Sequence, residues 1–270
     1  MSKVAVITEQ PKIFHLIVKR LKELGIPFYS LAPGEKVPSD VTIILTSKKE
    51  GKKISLNSKA YIITTNFDED SIKAAILKVK ALLAGCTNKA PIIIGIDPGD
   101  VYGAVVTLEG KIIDAHQFYS PYEVINYIQL VQKALNSFSD GNFIIRVGNG
   151  SPLHQRRLFR YFKSIALRAT YEVVDETYTT LARAKTAKRD ITAAILISKK
   201  RGEVVDLDHV EISLKPGEIK HIQAKSRSIS GGKLTIDWNL AEKVARGEIS
   251  LKEAIKIMKR QHKNGDENHV

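Results

Sequence analysis

Cysteine, methionine and tryptophan are nearly missing from this chain: 270 residues hold one Cys, two Met and one Trp. The lone Cys86 excludes an intrachain disulfide and a cysteine metal cluster. The seven His show no metal-ligand spacing. No apolar run is long enough to span a bilayer and no signal peptide is legible, so a cytoplasmic protein without membrane contact is expected. Acidic residues are scarce beside basic ones, 29 Asp+Glu against 42 Lys+Arg, leaving a net charge of +13. That excess points to a polyanionic partner, with nucleic acid the first choice. A Lys-rich surface of the hyperthermophile kind is the bland alternative, but ion pairing alone would not leave such an imbalance. A glycine-rich phosphate loop is also absent from the first strand–helix connection, Thr8-Glu9-Gln10-Pro11.

What is present is enough chain for two modest domains. Short apolar strands are expected at 3–8, 26–31, 41–46 and 60–64. Amphipathic helices are expected at 11–24, where Gly25 ends the run, and at 69–84. This is a small Rossmann- or receiver-like α/β unit over 1–88, read as a scaffold or partner-binding domain. A linker comes next, and a new pattern starts at Pro91.

The stretch Pro91–Ala104, PIIIGIDPGDVYGA, organises the remainder of the chain. A short β-branched run ends in Gly95-Ile96-Asp97 and a Pro-Gly turn, so it reads as a buried strand. A carboxylate there is costly to bury without a partner. Asp97 therefore either caps the turn or holds a cation. Strands at about 103–108 and 111–118, a helix from 121 to 137, a strand at 143–147, a helix at 153–168, a strand at 170–174 and a helix at 190–200 complete the segment. The order βββαβαβα over 91–202 is that of the ribonuclease H-like fold. From 203 to 270 a basic β-ribbon with a Pro216-Gly217 turn and two short helices are expected. Ser250 and Glu253 form a capping box for the last, and Trp238 is read as a core residue docking these helices.

GIDPG at 95–99, VVDETYTT at 173–180 and RDITAAILIS at 189–198 resemble the three signatures of the RuvC/YqgF group of ribonuclease H-like nucleases. The resemblance covers about 91–200. It implies catalytic roles for Asp97, for Glu176 and for Asp190. It also implies a metal-binding set of these three with Asp175, whose own role would be to cap or support the turn. Two Mg²⁺ or Mn²⁺ ions, about 3.5–4 Å apart, would suit hydrolysis of a phosphodiester, since hard cations take carboxylate oxygens. Read without the resemblance, Asp190 is equally a helix N-cap, Thr179 and Thr180 are capping residues, and Asp175-Glu176 is a polar loop. One departure from the group's resolvases stands out. They carry a further acid near the end of the fourth strand, where this chain has Arg146-Val147-Gly148-Asn149-Gly150-Ser151. That neutral loop resembles the YqgF branch.

Basic residues near these motifs are expected to grip phosphates: Arg146; Arg156, Arg157, Arg160 and Lys163 on one helix face; Arg183, Lys185, Lys188 and Arg189 before Asp190; and Lys220, Lys225 and Arg227 in the ribbon. Tyr178 could stack on a base. The functional expectation is a metal-dependent nuclease acting on structured DNA or RNA, with a homodimer suited to a two-fold symmetric junction. Two alternatives stay open. One is a nucleic-acid-binding or scaffold protein that kept the fold without catalysis. The other is an actin-like ATPase, which also opens on a GIDxG strand but would need a later DxGxG-type phosphate loop that this chain lacks.

Overall fold

The computed structural model describes residues 3–266 except 53, 55–59, 67, 88, 166, 178–188 and 211–212, with the side chains of those from 4 to 261. Two compact units divide the chain. One comprises 1–95, 105–116 and 126–145, the other 96–104, 117–125 and 146–270.

The first unit opens with strands β1 (Lys3–Ile7), β2 (Phe28–Leu31), β3 (Val41–Ser47) and β4 (Tyr61–Thr65) in a sheet ordered β2-β1-β3-β4. All three pairings are parallel. Parallel sheets need helical crossovers and cover on both faces. Helices α1 (Pro11–Glu23) and α3 (Glu69–Leu83) supply it on one face, packing Ile13, Ile17, Leu21, Ile72 and Val79 against Val4, Val6, Ile43 and Leu45. Ala5, Ile7, Val41 and Ile44 form a second cluster with Tyr29 and Leu31 against it. Pro11 opens α1 at its first turn, where a missing N–H costs nothing. Gly25 closes it in the left-handed region (φ +64°), with Gly25 N–H donating to Lys22 O at 3.0 Å and Ile26 N–H to Leu21 O at 2.9 Å, the Schellman pattern. A four-residue helix, α2 (Lys48–Gly51), lies where no element was expected.

The first unit also contains most of helix α4 (Pro121–Ser139) and of strands β5 (Ile92–Asp97), β6 (Tyr102–Leu108) and β7 (Lys111–Phe118). Glu109 and Gly110, both at positive φ (50° and 72°), join β6 to β7. That is the two-residue turn whose twist matches a hairpin. A buried polar network ties α3, β7 and α4 together within this unit. Asp114 accepts from Lys80 Nζ at 2.7 Å and from Tyr127 OH at 2.9 Å, and lies 2.9 Å from His116 Nε2. Burial pushes the Asp114 carboxyl upward, but hydrogen bonds and charge from His116 and Lys80 outweigh it and bring it down to about 2. A carboxylate depressed in the folded state stabilises above its unfolded pKa, and that stabilisation goes as pH falls through the folded value. Wild type should therefore lose about 2 kcal/mol between pH 5 and 2 that Asp114→Asn does not lose. Urea melts of both proteins across that range check this, and parallel curves would refute it.

The remaining elements are β8 (Phe143–Gly148), α5 (Pro152–Ile165), β9 (Thr170–Val174), α6 (Arg189–Lys199), β10 (Glu203–Val205), α7 (Pro216–Ile229), α8 (Trp238–Arg246) and α9 (Leu251–Asp266). The second sheet runs β10-β9-β8-β5-β6-β7, and β10 pairs antiparallel with β9. From β5 to α6 the expected order of three strands, helix, strand, helix, strand, helix is observed.

The tail departs from expectation. The β-ribbon over 204–229 is wrong beyond the three-residue β10, because Pro216–Ile229 is helix α7. Its buried residues Ile219, Ile222 and Ser226 recur at three and four positions, a helical spacing rather than alternation. Pro216, read as a turn residue, instead opens the helix. With α8 and α9 it encloses a core of Ile219, Ile222, Ile236, Leu240, Ala241, Val244, Ala245, Ala254 and Ile255. Asp237 caps α8 through a 2.7 Å bond from Leu240 N–H. Trp238 is not part of that core. It is the first residue of α8 and is 47% exposed, because the apolar stripe begins at Leu240. The Ser250–Glu253 capping box of α9 is formed, with Glu253 accepting from Ser250 N–H at 2.8 Å. Among the described residues no helix is long and apolar enough to cross a membrane.

Candidate active site

All residues of the candidate site belong to the second unit. Asp97 ends β5, Glu176 lies just beyond β9, and Asp190 is the second residue of α6. They come within electrostatic reach of one another. Burial raises the Asp97 carboxyl to about 7, the charges of Glu176 and Asp190 push the same way, and Arg189 pulls partly back. A desolvated carboxylate beside two others needs a cation or a proton to offset its charge.

Two close approaches make this possible. A Cβ on Gly103 of β6 would lie 2.1 Å from the Asp190 carbonyl oxygen, so only glycine lets α6 start there. A Cβ on Gly148, at the end of β8, would lie 2.0 Å from Glu176 Oε1. Gly148 is thus what leaves room for the Glu176 side chain. Gly150 N–H then donates to Glu176 Oε1 at 2.8 Å. Asn149 Oδ1 accepts from Glu176 N–H at 3.1 Å, which pins the backbone. Asp190 is held by Gln117 Nε2, which donates to its Oδ2 at 2.7 Å. Gln117 carries no signal in a single sequence; only the sheet brings the end of β7 to α6.

Asp175 is oriented differently. It accepts from Thr177 N–H at 3.1 Å and from the Thr177 hydroxyl, and it lies 3.4 Å from Asn149 Nδ2. The Thr177 bonds hold its carboxyl below the usual range. It caps the turn that presents Glu176.

Several basic residues do not stand where phosphate contact would need them. Arg146 is 8% exposed, its Nε donating to Glu172 at 2.7 Å and its NH1 to Ser198 O at 2.6 Å. A buried guanidinium needs such partners, so Arg146 braces β8, β9 and α6 rather than meeting solvent. The basic face of α5 is largely consumed as well. Arg156 pairs with Glu218 of α7, Arg157 Nε donates to Ala245 O at 2.6 Å, and Arg160 is partly desolvated, which lowers its pKa. Their long stems let an arginine stripe act as packing surface for the terminal helices. Lys163 remains 41% exposed beside Asp208 at 3.2 Å. On α7, Lys220 and Arg227 are exposed and Lys225 pairs with Asp100 at 2.5 Å. Arg189 is exposed beside the carboxylates. Arg183, Lys185 and Lys188, like Tyr178, Thr179 and Thr180, lie outside the described residues.

The donor set fits a hard divalent cation in kind, being carboxylate oxygen throughout. As the side chains stand, no group of three or more His, Cys, Asp or Glu among the described residues is arranged to hold a metal ion. Glu176 and Asp190 are each turned onto a protein donor, and a cation would compete with Gly150 and Gln117 for their oxygens.

Comparison with known proteins assigns the two ends of the chain. Residues 3–83 match the model of a response regulator receiver-like domain, and residues 215–263 match a three-helical bundle domain. No curated protein matches. Among solved structures, Argonaute from Marinitoga piezophila, described in complex with 5′ OH guide RNA and target DNA, is similar at 14% identity with a TM-score of 0.24. That match covers 65% of this chain and 39% of that one. The chain is thus similar to a receiver-like domain over 3–83 and to a three-helical bundle domain over 215–263, and the carboxylates lie in the segment between these matches.

Proposed function

We propose that the protein is a metal-dependent nuclease of the ribonuclease H-like type, related to the RuvC/YqgF group, that hydrolyses phosphodiester bonds in structured nucleic acid. The observation that carries this reading is the convergence of Asp97, Glu176 and Asp190 from three separate elements, where desolvation first, and then the charges of the other two, raise Asp97 to about 7. Structural carboxylates are usually paired with cations, and their pKa falls. A raised carboxylate among like charges marks a candidate functional site. Asp97, Glu176 and Asp190 would hold Mg²⁺ or Mn²⁺, with Asp175 supporting the turn. The ions would supply Lewis-acid stabilisation of charge on the scissile phosphate. The chain's own contribution is positional: the Gly150 amide orients Glu176, Gln117 orients Asp190, and exposed Arg189 offers charge to a flanking phosphate. The net charge of +13 favours such a partner.

A second reading has its own observation. β8 ends in Gly148 with no acid, and the carboxylates already bond to protein donors. Both features suit a nucleic-acid-binding protein that retains the fold without cleavage. Mg²⁺- and Mn²⁺-dependent cleavage of junction, flap, duplex and single-stranded DNA and RNA, by wild type and Asp97→Asn, separates the two. Cleavage lost in the variant supports the nuclease. Salt-sensitive binding without cleavage by wild type supports the binder.

A further inference from the structure

A cleft of about 650 Å³ opens beside the carboxylates within the second unit, bordered by Gly99, Tyr119, Tyr122, Gly150 and Arg157 among others. Two residues join it to the site. Gly99 lies two positions beyond Asp97, and Gly150 is the residue whose amide holds Glu176. The volume is that of a small-ligand pocket and would admit a nucleotide.

Its aromatic lining is the unexplained feature. Tyr119 is 75% exposed and Tyr122 61% exposed, although tyrosine rings are normally at least partly packed away. They are rigidly mounted. Glu123 accepts from Tyr119 N–H at 2.8 Å and from Ser120 N–H at 3.2 Å, while Ser120 Oγ accepts from Glu123 N–H at 3.2 Å. This is a capping box, with Pro121 as the first residue of α4. The backbone between the two tyrosines is therefore held before any ligand arrives. The acids bordering the cleft are largely answered locally: Asp100 by Lys225 at 2.5 Å, and Glu253 by Ser250 N–H at 2.8 Å. Arg157, its Nε already donating to Ala245 O at 2.6 Å, borders the cleft as well.

We infer that this cleft seats single-stranded nucleic acid next to the scissile phosphate, with bases splayed onto Tyr119 and Tyr122. Identifying the ligand as nucleic acid rests on reading the carboxylates as a nuclease centre. Stacking on exposed aromatic rings is how single strands are held without regard to sequence. Duplex bases stack on each other and cannot enter a pocket without being flipped out.

The test is fluorescence anisotropy with the full chain in EDTA, using a labelled oligothymidylate of about twelve nucleotides and a blunt duplex of the same length. Wild type should prefer the single strand. Tyr119→Ala and Tyr122→Ala should each weaken it about tenfold while leaving duplex binding unchanged. Tyr119→Phe and Tyr122→Phe keep the ring and should bind as wild type. Tyr61→Ala removes a 49% exposed tyrosine of the first unit and should change nothing. Equal losses for single strand and duplex, no loss, phenylalanine variants as weak as the alanine ones, or no binding by wild type would each overturn the assignment. Because divalent ions are absent, the outcome is independent of cleavage. Tyrosine-dependent binding without any nuclease activity would remove the nuclease reading and leave the cleft, whereas Asp97-dependent cleavage with tyrosine-independent binding would do the reverse.

Discussion

Asp97→Asn should abolish cleavage, by about a thousandfold or more, and yet raise the stability of the protein when divalent ions are absent. The two effects have one cause. Asp97 is partly buried beside Glu176 and Asp190, and desolvation with their charges raises its carboxyl to about 7. A carboxylate whose folded pKa lies above its unfolded value opposes folding once it must ionise, so the penalty grows as pH rises from about 4 to 7 and is full above that. Asparagine has the same shape without the charge. At pH 8 in EDTA the variant should be more stable by about 1–3 kcal/mol, while at pH 4 the two proteins should melt together. Adding Mn²⁺ or Mg²⁺ should narrow the gap, because a cation bound only by the folded wild type stabilises it by mass action. A purely structural aspartate predicts the opposite sign, since asparagine would then lose a cap. Thermal melts at both pH values, with and without metal, and a cleavage assay at saturating metal decide the matter. Full activity in Asp97→Asn, or a lower melting temperature in EDTA at pH 8, would end the assignment.

Gly103→Ala should be the most damaging of the conservative substitutions, costing about 3 kcal/mol or more. The added methyl would sit 2.1 Å from the Asp190 carbonyl oxygen and 2.4 Å from its carbon. Both partners in the clash are backbone, β6 on one side and the first turn of α6 on the other, so no rotamer change relieves it. Either the helix start moves and takes the Asp190 carboxylate with it, or the strand gives up its place in the sheet. Activity should fall even in that part of the protein which stays folded. Gly217→Ala is the matched control. It lies in α7 with nothing within 4 Å of a new Cβ, and alanine is the better helix former by up to about 1 kcal/mol. Urea denaturation midpoints should therefore move in opposite directions. A Gly103→Ala protein as stable as wild type would mean that the approach of α6 to β6 is looser than the structure has it.

Local order was legible in the sequence wherever it depended on near neighbours. The apolar run at 92–96 and its Pro-Gly turn, Gly25 as a helix stop and the Ser250–Glu253 box are all written in residues a few positions apart, and the structure carries each on the expected element, while Asp97, Glu176 and Asp190 stand at the end of β5, just beyond β9 and at the start of α6. The tail was misread because Pro216-Gly217 serves a turn or a helix start equally well, and only the core shared with α8 and α9 selects the helix. The arginine stripe of α5 failed for a related reason. A charged face is the same in sequence whether water or another helix covers it, and Glu218 and Ala245, which meet Arg156 and Arg157, come from more than fifty residues away. By itself the sequence determined which carboxylates are available and on which elements they ride. Tertiary structure alone decided that Asp97, Glu176 and Asp190 share one electrostatic neighbourhood, that Gly103 and Gly148 clear the space for it, and that Arg146 is spent on Glu172. Propensity and capping act over a single turn, whereas Coulomb energy and excluded volume depend on distances that only the folded chain possesses.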